Sequence, residues 1–254
     1  MKPCAALLVL LACAGCGGKE PKPLGGLLTC RGEGRTVAVF EAGLGVLPAT
    51  AWSAVTAKLD DRMRVCLHER QGNRTAGAAA EQLHAHLERA GIDKAIFVGA
   101  SFGGFVTQLE ASRHPQGVAG MVLVDSLHPD LDREIEPLLG KRGARERRQA
   151  LAQNAEGVSY GDLLASDDEL RRASGDFPPV PLIALKHGIS FDPGGEPVPS
   201  IERLWGRLQE ANAKLSPTGR VVVAERSHHR IAEDQPELVV DAIREVVEAA
   251  RAGG

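Results

Sequence analysis

The chain has 254 residues, of which 43% are hydrophobic and 25% charged, with 33 acidic side chains against 30 basic ones. That length suits a single α/β domain, and a formal net charge of -3 excludes the strongly basic surface that a nucleic-acid partner needs. The densest basic cluster, Lys141, Arg142, Arg145, Arg147 and Arg148, is broken by Gly143 and Glu146 and reads as a solvated helix face.

Residues 1 to 16 read as a targeting segment. Met1-Lys2 is a short positive start, Ala5 to Ala12 is almost wholly aliphatic, and Cys13-Ala14-Gly15-Cys16-Gly17-Gly18 follows. The apolar run is too short to span a bilayer and fits an export signal. It resembles a bacterial lipoprotein signal, in which a cysteine after small residues is lipidated. Cys16 is the preferred position and Cys13 the alternative. Residues 17 to 26, with Lys19-Glu20-Pro21-Lys22-Pro23, then form a polar tether. The expected location is outside the cell or in the periplasm, anchored to a bacterial membrane by lipid. Cys4 leaves with the signal, so Cys30 and Cys66 remain as an even pair in an oxidising compartment. That suggests a disulfide, with two buried thiols as the alternative.

From residue 27 onward, strands and helices alternate. Leu27 to Arg31 is a short strand candidate, and Thr36 to Phe40 is an apolar strand ending in Glu41-Ala42-Gly43-Leu44-Gly45. A helix pattern with Trp52, Val55 and Leu59 on one face precedes a strand at Arg64 to His68, closed by Glu69-Arg70-Gln71-Gly72. Ala76 to Ala90 reads as a helix, Ala95 to Val98 as a strand, Phe105 to Arg113 as a helix, and Gly120 to Val124 as a strand ending at Asp125. Residues 127 to 178 interrupt the alternation with a charged, helical insert. Val180 to Leu185, a helix from Ser200 to Leu215, a strand at Arg220 to Ala224 and a helix from Pro236 to Ala250 complete the chain. Such alternation predicts an α/β fold, a mostly parallel sheet with helices on both faces.

Gly99-Ala100-Ser101-Phe102-Gly103 is a complete G-x-S-x-G between a strand and a helix. Glycines two residues either side of the serine let neighbouring backbone approach, and the sharp turn lifts the hydroxyl above the sheet. Taken alone, the five residues also fit a glycine-rich turn with an idle serine. Three further turns narrow the choice. They are Gly43-Leu44-Gly45, the Glu69-Arg70-Gln71-Gly72 turn, and Ser227-His228-His229-Arg230-Ile231 with Asp234-Gln235-Pro236. In this order they resemble the α/β-hydrolase fold from about Leu27 to Val247, with residues 127 to 178 as a helical cap.

The resemblance implies a serine hydrolase that cleaves a carboxylic ester, or a thioester or amide, through an acyl-enzyme. Ser101 aligns with the nucleophile and His229 with the base, while His228 stands where glycine is usual. Asp125, at the strand end after the elbow helix, is preferred as the acid. Asp192 is the alternative. Backbone N–H groups of Leu44 and Phe102 align with the oxyanion donors. The strand near Leu28 neighbours the one holding Cys66 in this fold, which makes a Cys30–Cys66 bridge feasible. A small acyl substrate and a membrane, reached through the lipid anchor, are the expected partners. A binding lipoprotein that has lost catalysis is the competing reading.

No cofactor is expected, and no metal. His84 and His86 lie two apart on a helix and face different ways, while His68, His114 and His187 stand isolated. Trp205 reads as helix core with Leu204 and Leu208.

Overall fold

Consecutive strand residues send side chains to opposite faces, and in the central strands both faces are apolar. The computed structural model describes residues 26–59, 63–72, 74–173, 177–190 and 198–253. Cys13, Cys16, the tether up to residue 25 and Asp192 lie outside them. The strands are β1 (Leu27–Arg31), β2 (Thr36–Glu41), β3 (Met63–Glu69), β4 (Ala95–Ala100), β5 (Val118–Val124), β6 (Leu182–His187) and β7 (Arg220–Ala224). They form one sheet in the order β1-β3-β2-β4-β5-β6-β7. Only β1 runs antiparallel to its neighbour, and its register sets Cys30 opposite Cys66, where the two form a disulfide.

Helices cover both faces: α1 (Pro48–Ala51), α2 (Ser53–Thr56), α3 (Ala76–Arg89), α4 (Phe102–Arg113), α5 (Leu131–Leu151), α6 (Tyr160–Ala173), α7 (Pro199–Ala213), α8 (Ile231–Asp234) and α9 (Pro236–Ala252). Phe97, Met121 and Leu123 join Leu83, Phe105 and Leu109 of α3 and α4 in one core. Ile96, Val98, Val122 and Val124 pack on the other side with Val239, Ile243, Val246 and Val247 of α9. Those α9 positions fall on one helical stripe, and each such side chain contributes roughly 1.5–3 kcal/mol on burial. Thr75 caps α3 by accepting a hydrogen bond from the Ala78 N–H at 3.2 Å.

Several boundaries differ from the sequence reading by two or three residues, and two of them bear on the site and its strand. β6 starts at Leu182 rather than Val180, because Pro179 and Pro181 cannot donate to a ladder. α4 starts at Phe102 rather than Phe105, so Gly103 and Gly104 lie inside its first turn.

The insert between β5 and β6 supplies α5 and α6. Its contacts fall beyond the carboxyl ends of the strands. Glu156 reaches Gly45 and Arg70, and Ser166 and Glu169 reach the first N–H groups of α3, at Ala76 and Gly77. A carboxylate there satisfies donors that the helix leaves unpaired. Inside the insert, Asp167 is buried and its Oδ2 has no hydrogen-bond partner among the described residues, with Arg171 3.9 Å away. Burial, then the nearby Asp132, pushes its pKa up to about 8. A carboxyl whose folded pKa exceeds its ordinary 3.8 adds stability below that value and loses it as pH rises towards about 8. Asp167→Asn, neutral throughout, should therefore melt above wild type at pH 8 and match it near pH 4, as thermal scans across that window would check.

Candidate active site

Ser101 stands between β4 and α4 with φ 50° and ψ -122°. Asp125, just past β5, has φ 45°, and these two are the non-glycine residues at positive φ among the described residues. Each such conformation costs about 1–3 kcal/mol and persists only where its surroundings hold it. Here they do. The Ser101 N–H donates to Val124 O at 3.1 Å, and the Asp125 N–H donates to Leu185 O at 2.8 Å. Ser101 O accepts from the N–H groups of Gly104 at 3.0 Å and Leu127 at 3.2 Å. A Cβ on Gly99 would strike Thr107 Oγ1 and the backbone of α4, and one on Gly103 would strike the carbonyls of Glu41 and Ala42. The elbow therefore needs glycine at both positions.

Asp125 is fully buried, and four donors surround its carboxylate. His229 Nδ1 and His187 Nδ1 each lie 2.7 Å from Oδ2, while Trp205 Nε1 at 2.8 Å and the His187 N–H at 3.1 Å reach Oδ1. Burial alone would raise this carboxyl, but the hydrogen bonds from His187 and His229 outweigh it and hold the pKa at about 2. His187 extends the chain outward, its Nε2 3.1 Å from Glu202 Oε2. Burial disfavours the charged form of that ring, yet its bonds to Asp125 and Glu202 keep its pKa above the ordinary value.

His229 is partly exposed, on the turn after β7. Ser227 Oγ and the His228 N–H both donate to Asp234 Oδ2, at 3.0 and 3.2 Å, which pins that turn. His228 points elsewhere. It is exposed, and its Nδ1 lies 3.1 Å from Ser190 O.

The Gly43-Leu44 turn lies beside the serine, since a Cβ on Gly43 would sit 3.9 Å from Ser101 Oγ. Arg70 fixes that turn. Its guanidinium donates to Ala42 O at 2.8 Å, Gly43 O at 3.0 Å and Glu41 Oε2 at 2.7 Å, and is bidentate to Glu156. It also lies 5.5 Å from the ring centre of Phe102. Glu41 is fully buried and meets His68 Nδ1 through its other oxygen. Glu156 accepts from the Gly45 N–H at 2.9 Å, so the insert holds the same turn from above.

Sequence reasoning had placed Ser101, Asp125, His229, Leu44 and Phe102 at this sheet edge. It missed four residues. His187 is not isolated but sits on Asp125, because the β5–β6 register sets Val124 opposite Leu185. Trp205 packs with Leu204 and Leu208 as its helical spacing predicts, but also donates to Asp125. Arg70 and Glu41 belong to separate turn segments 29 residues apart, and nothing local in the chain pairs their opposite charges. A further correction concerns His84 and His114. His84 reads as facing away from His86 and His114 as isolated, yet the His84 and His114 rings stack with centroids 3.4 Å apart.

Comparison with known proteins agrees with this architecture. A family model described as the alpha/beta hydrolase fold matches residues 58–186. An uncharacterized protein of Bacillus subtilis (strain 168), YqjL, is 26% identical over 226 residues, covering 85% of both chains. Among solved structures, Est816, described as an N-acyl homoserine lactone degrading enzyme, superposes with a TM-score of 0.64 at 16% identity, covering 89% of this chain and 98% of its own. A thermophilic esterase from Thermogutta terrifontis gives 0.60 at 19%, covering 89% and 93%. At such identities the structural likeness is one of fold. The family match spans the strands from β3 to β6 and the elbow between them, and on that ground the chain belongs to the α/β-hydrolase fold family.

Proposed function

We propose that this chain is a serine hydrolase that cleaves carboxylic esters through an acyl-enzyme. The observation that carries the reading is the buried Asp125 carboxylate on His229 Nδ1 at 2.7 Å, at the same sheet edge as a serine held at positive φ. A serine hydroxyl is a weak nucleophile and needs a base as it attacks a carbonyl. With Nδ1–H donated to Asp125, His229 presents Nε2 as the site that takes the Ser101 proton and returns it to the leaving alcohol. Water then repeats the sequence in reverse and frees the acid.

The oxyanion of each tetrahedral intermediate is met by the N–H groups of Leu44 and Phe102. Phe102 is the first residue of α4, where an N–H has no intrahelical acceptor. Exposed Val46 and Leu47 beside this turn suit an apolar acyl group. The relatives in fold include an esterase and an enzyme that degrades a lactone, an internal ester. Thioesters and amides would follow the same steps.

Labelling with a fluorophosphonate probe, followed by peptide mapping, tests the proposal. The expected adduct is on Ser101 and is lost in heat-unfolded protein. Folded protein that takes no label would instead favour a ligand-binding lipoprotein without catalysis. The N-terminal pattern supports a lipid anchor on Cys16, facing the periplasm or exterior, and metabolic labelling with a fatty-acid analogue in a bacterial host would reveal it.

A further inference from the structure

α3 and α4 pack side by side, and near the end of α4 they bring three ligand-type side chains together. His84 Nδ1 lies 2.9 Å from Glu110 Oε1, and its Nε2 lies 3.6 Å from Glu88 Oε1. The rings of His84 and His114 are nearly parallel, 6° apart, with centroids 3.4 Å from each other. One ligand atom from each of His84, Glu110 and His114 falls within 4.8 Å of the others. Glu110 is only 3% exposed, and its Oε2 has no hydrogen-bond partner among the described residues. A buried carboxylate oxygen without a donor is costly, so an unmet oxygen calls for a cation or a donor that the chain itself does not supply. Both histidines are half-buried, which leaves a path from solvent.

We propose that His84, Glu110 and His114 bind one divalent transition-metal ion of the Zn²⁺ type. Two imidazole nitrogens with one carboxylate suit Zn²⁺ and its neighbours, whereas Mg²⁺ and Ca²⁺ favour all-oxygen sites. Glu110 and His114 are four apart, so both project from the same side at the end of α4. Metal–ligand bonds of about 2.0–2.1 Å give tetrahedral edges of about 3.3 Å, so the His84–Glu110 pair needs to open by only a few tenths of an ångström. Glu110 takes the ion through both oxygens, so Oε2 gains its partner, and the proton between His84 Nδ1 and Glu110 Oε1 leaves to solvent. A water completes the shell, while Glu88 remains on the Nε2 side of His84.

The site is structural. Ser101 precedes the first residue of α4 and His114 follows the last, so 12 residues of helix, about 18 Å, separate the ion from the nucleophile. A bound ion staples α3 to α4 and takes no part in ester cleavage, so this inference stands apart from the proposed function.

Metal-stripped full-length protein titrated with Zn²⁺ by calorimetry and thermal melting tests it. One equivalent should bind in the micromolar range or tighter and raise Tm by several degrees, reversibly with a chelator. Co²⁺ in its place should give visible d–d bands. His84→Gln and His114→Gln should each abolish that rise and those bands. His229→Ala, which disrupts the other histidine cluster, should keep them. Because the His84 side chain is 29% exposed, His84→Gln carries the test even where a change at His114 or Glu110 unfolds the chain. Absence of a Zn²⁺-dependent rise in wild type, or a rise that survives in folded His84→Gln, overturns the proposal.

Discussion

Asp125→Asn should lower kcat on an activated ester by about 10⁴-fold and leave KM close to wild type. The reason is the donor arrangement around one carboxylate. Oδ2 meets the Nδ1 atoms of His187 and His229, while Oδ1 meets the indole N–H of Trp205 and the N–H of His187. An amide offers one acceptor and one donor edge. With its NH₂ towards the imidazoles, it needs Nδ1 as acceptor, which moves the His229 proton to Nε2 and leaves no base for Ser101. With its NH₂ the other way, two donors face two donors. The first orientation loses the working tautomer, and the second keeps it only against a buried donor–donor clash with Trp205 and the His187 N–H. Asp192→Asn, by contrast, should retain wild-type rate. Full activity in Asp125→Asn would remove Asp125 from the proposed mechanism.

The same substitution carries a pH signature in stability. Asp125 is held at about 2, below its ordinary 3.8, despite burial that would raise it. A depressed carboxyl pKa contributes stability that is fully present above 3.8 and is lost as pH falls through about 2. The shift corresponds to about 2–3 kcal/mol at neutral pH. Asp125→Asn should thus melt lower than wild type at pH 7, with the gap narrowing in acid. This is the opposite trend to Asp167→Asn.

What the sequence disclosed was what is local along the chain. The elbow, the glycine turn and the histidine turn are each short segments whose residue types dictate their backbone. Continuous apolar runs in β4 and β5 likewise announce a sheet covered on both faces. The missed residues are all set by register or packing between distant segments. His187 reaches Asp125 because β5 and β6 pair in one register, and Glu41 faces His68 because β2 and β3 do. His84 and His114 meet only because α3 and α4 pack against each other. No spacing within the chain encodes those meetings. The same limit applies to Arg70, whose partners come from β2, the glycine turn and the insert.

Arg70→Gln should lower kcat by about 10²–10³-fold, the loss expected when one oxyanion donor no longer aligns. Arg70 touches no reacting atom, so its role is positional. In a planar trans peptide the C=O and the next N–H point in opposite directions. The bond from Arg70 Nη2 to Gly43 O therefore fixes where the Leu44 N–H points. The same guanidinium lies against the Phe102 ring, so one side chain bears on both proposed donors. Glutamine cannot span these partners, and it leaves Glu41 buried without its cation, a loss of about 3–5 kcal/mol in stability. Glu156→Gln separates the two effects. It keeps the Arg70–Glu41 pair, removes only the charge that holds Arg70 and Gly45 from the insert, and should fold normally with about a tenfold lower kcat. A positional role further predicts weaker binding of a boronate transition-state analogue in step with kcat, with KM for the ester nearly unchanged. If analogue affinity holds while only Tm falls, Arg70 supports the fold and not the oxyanion turn.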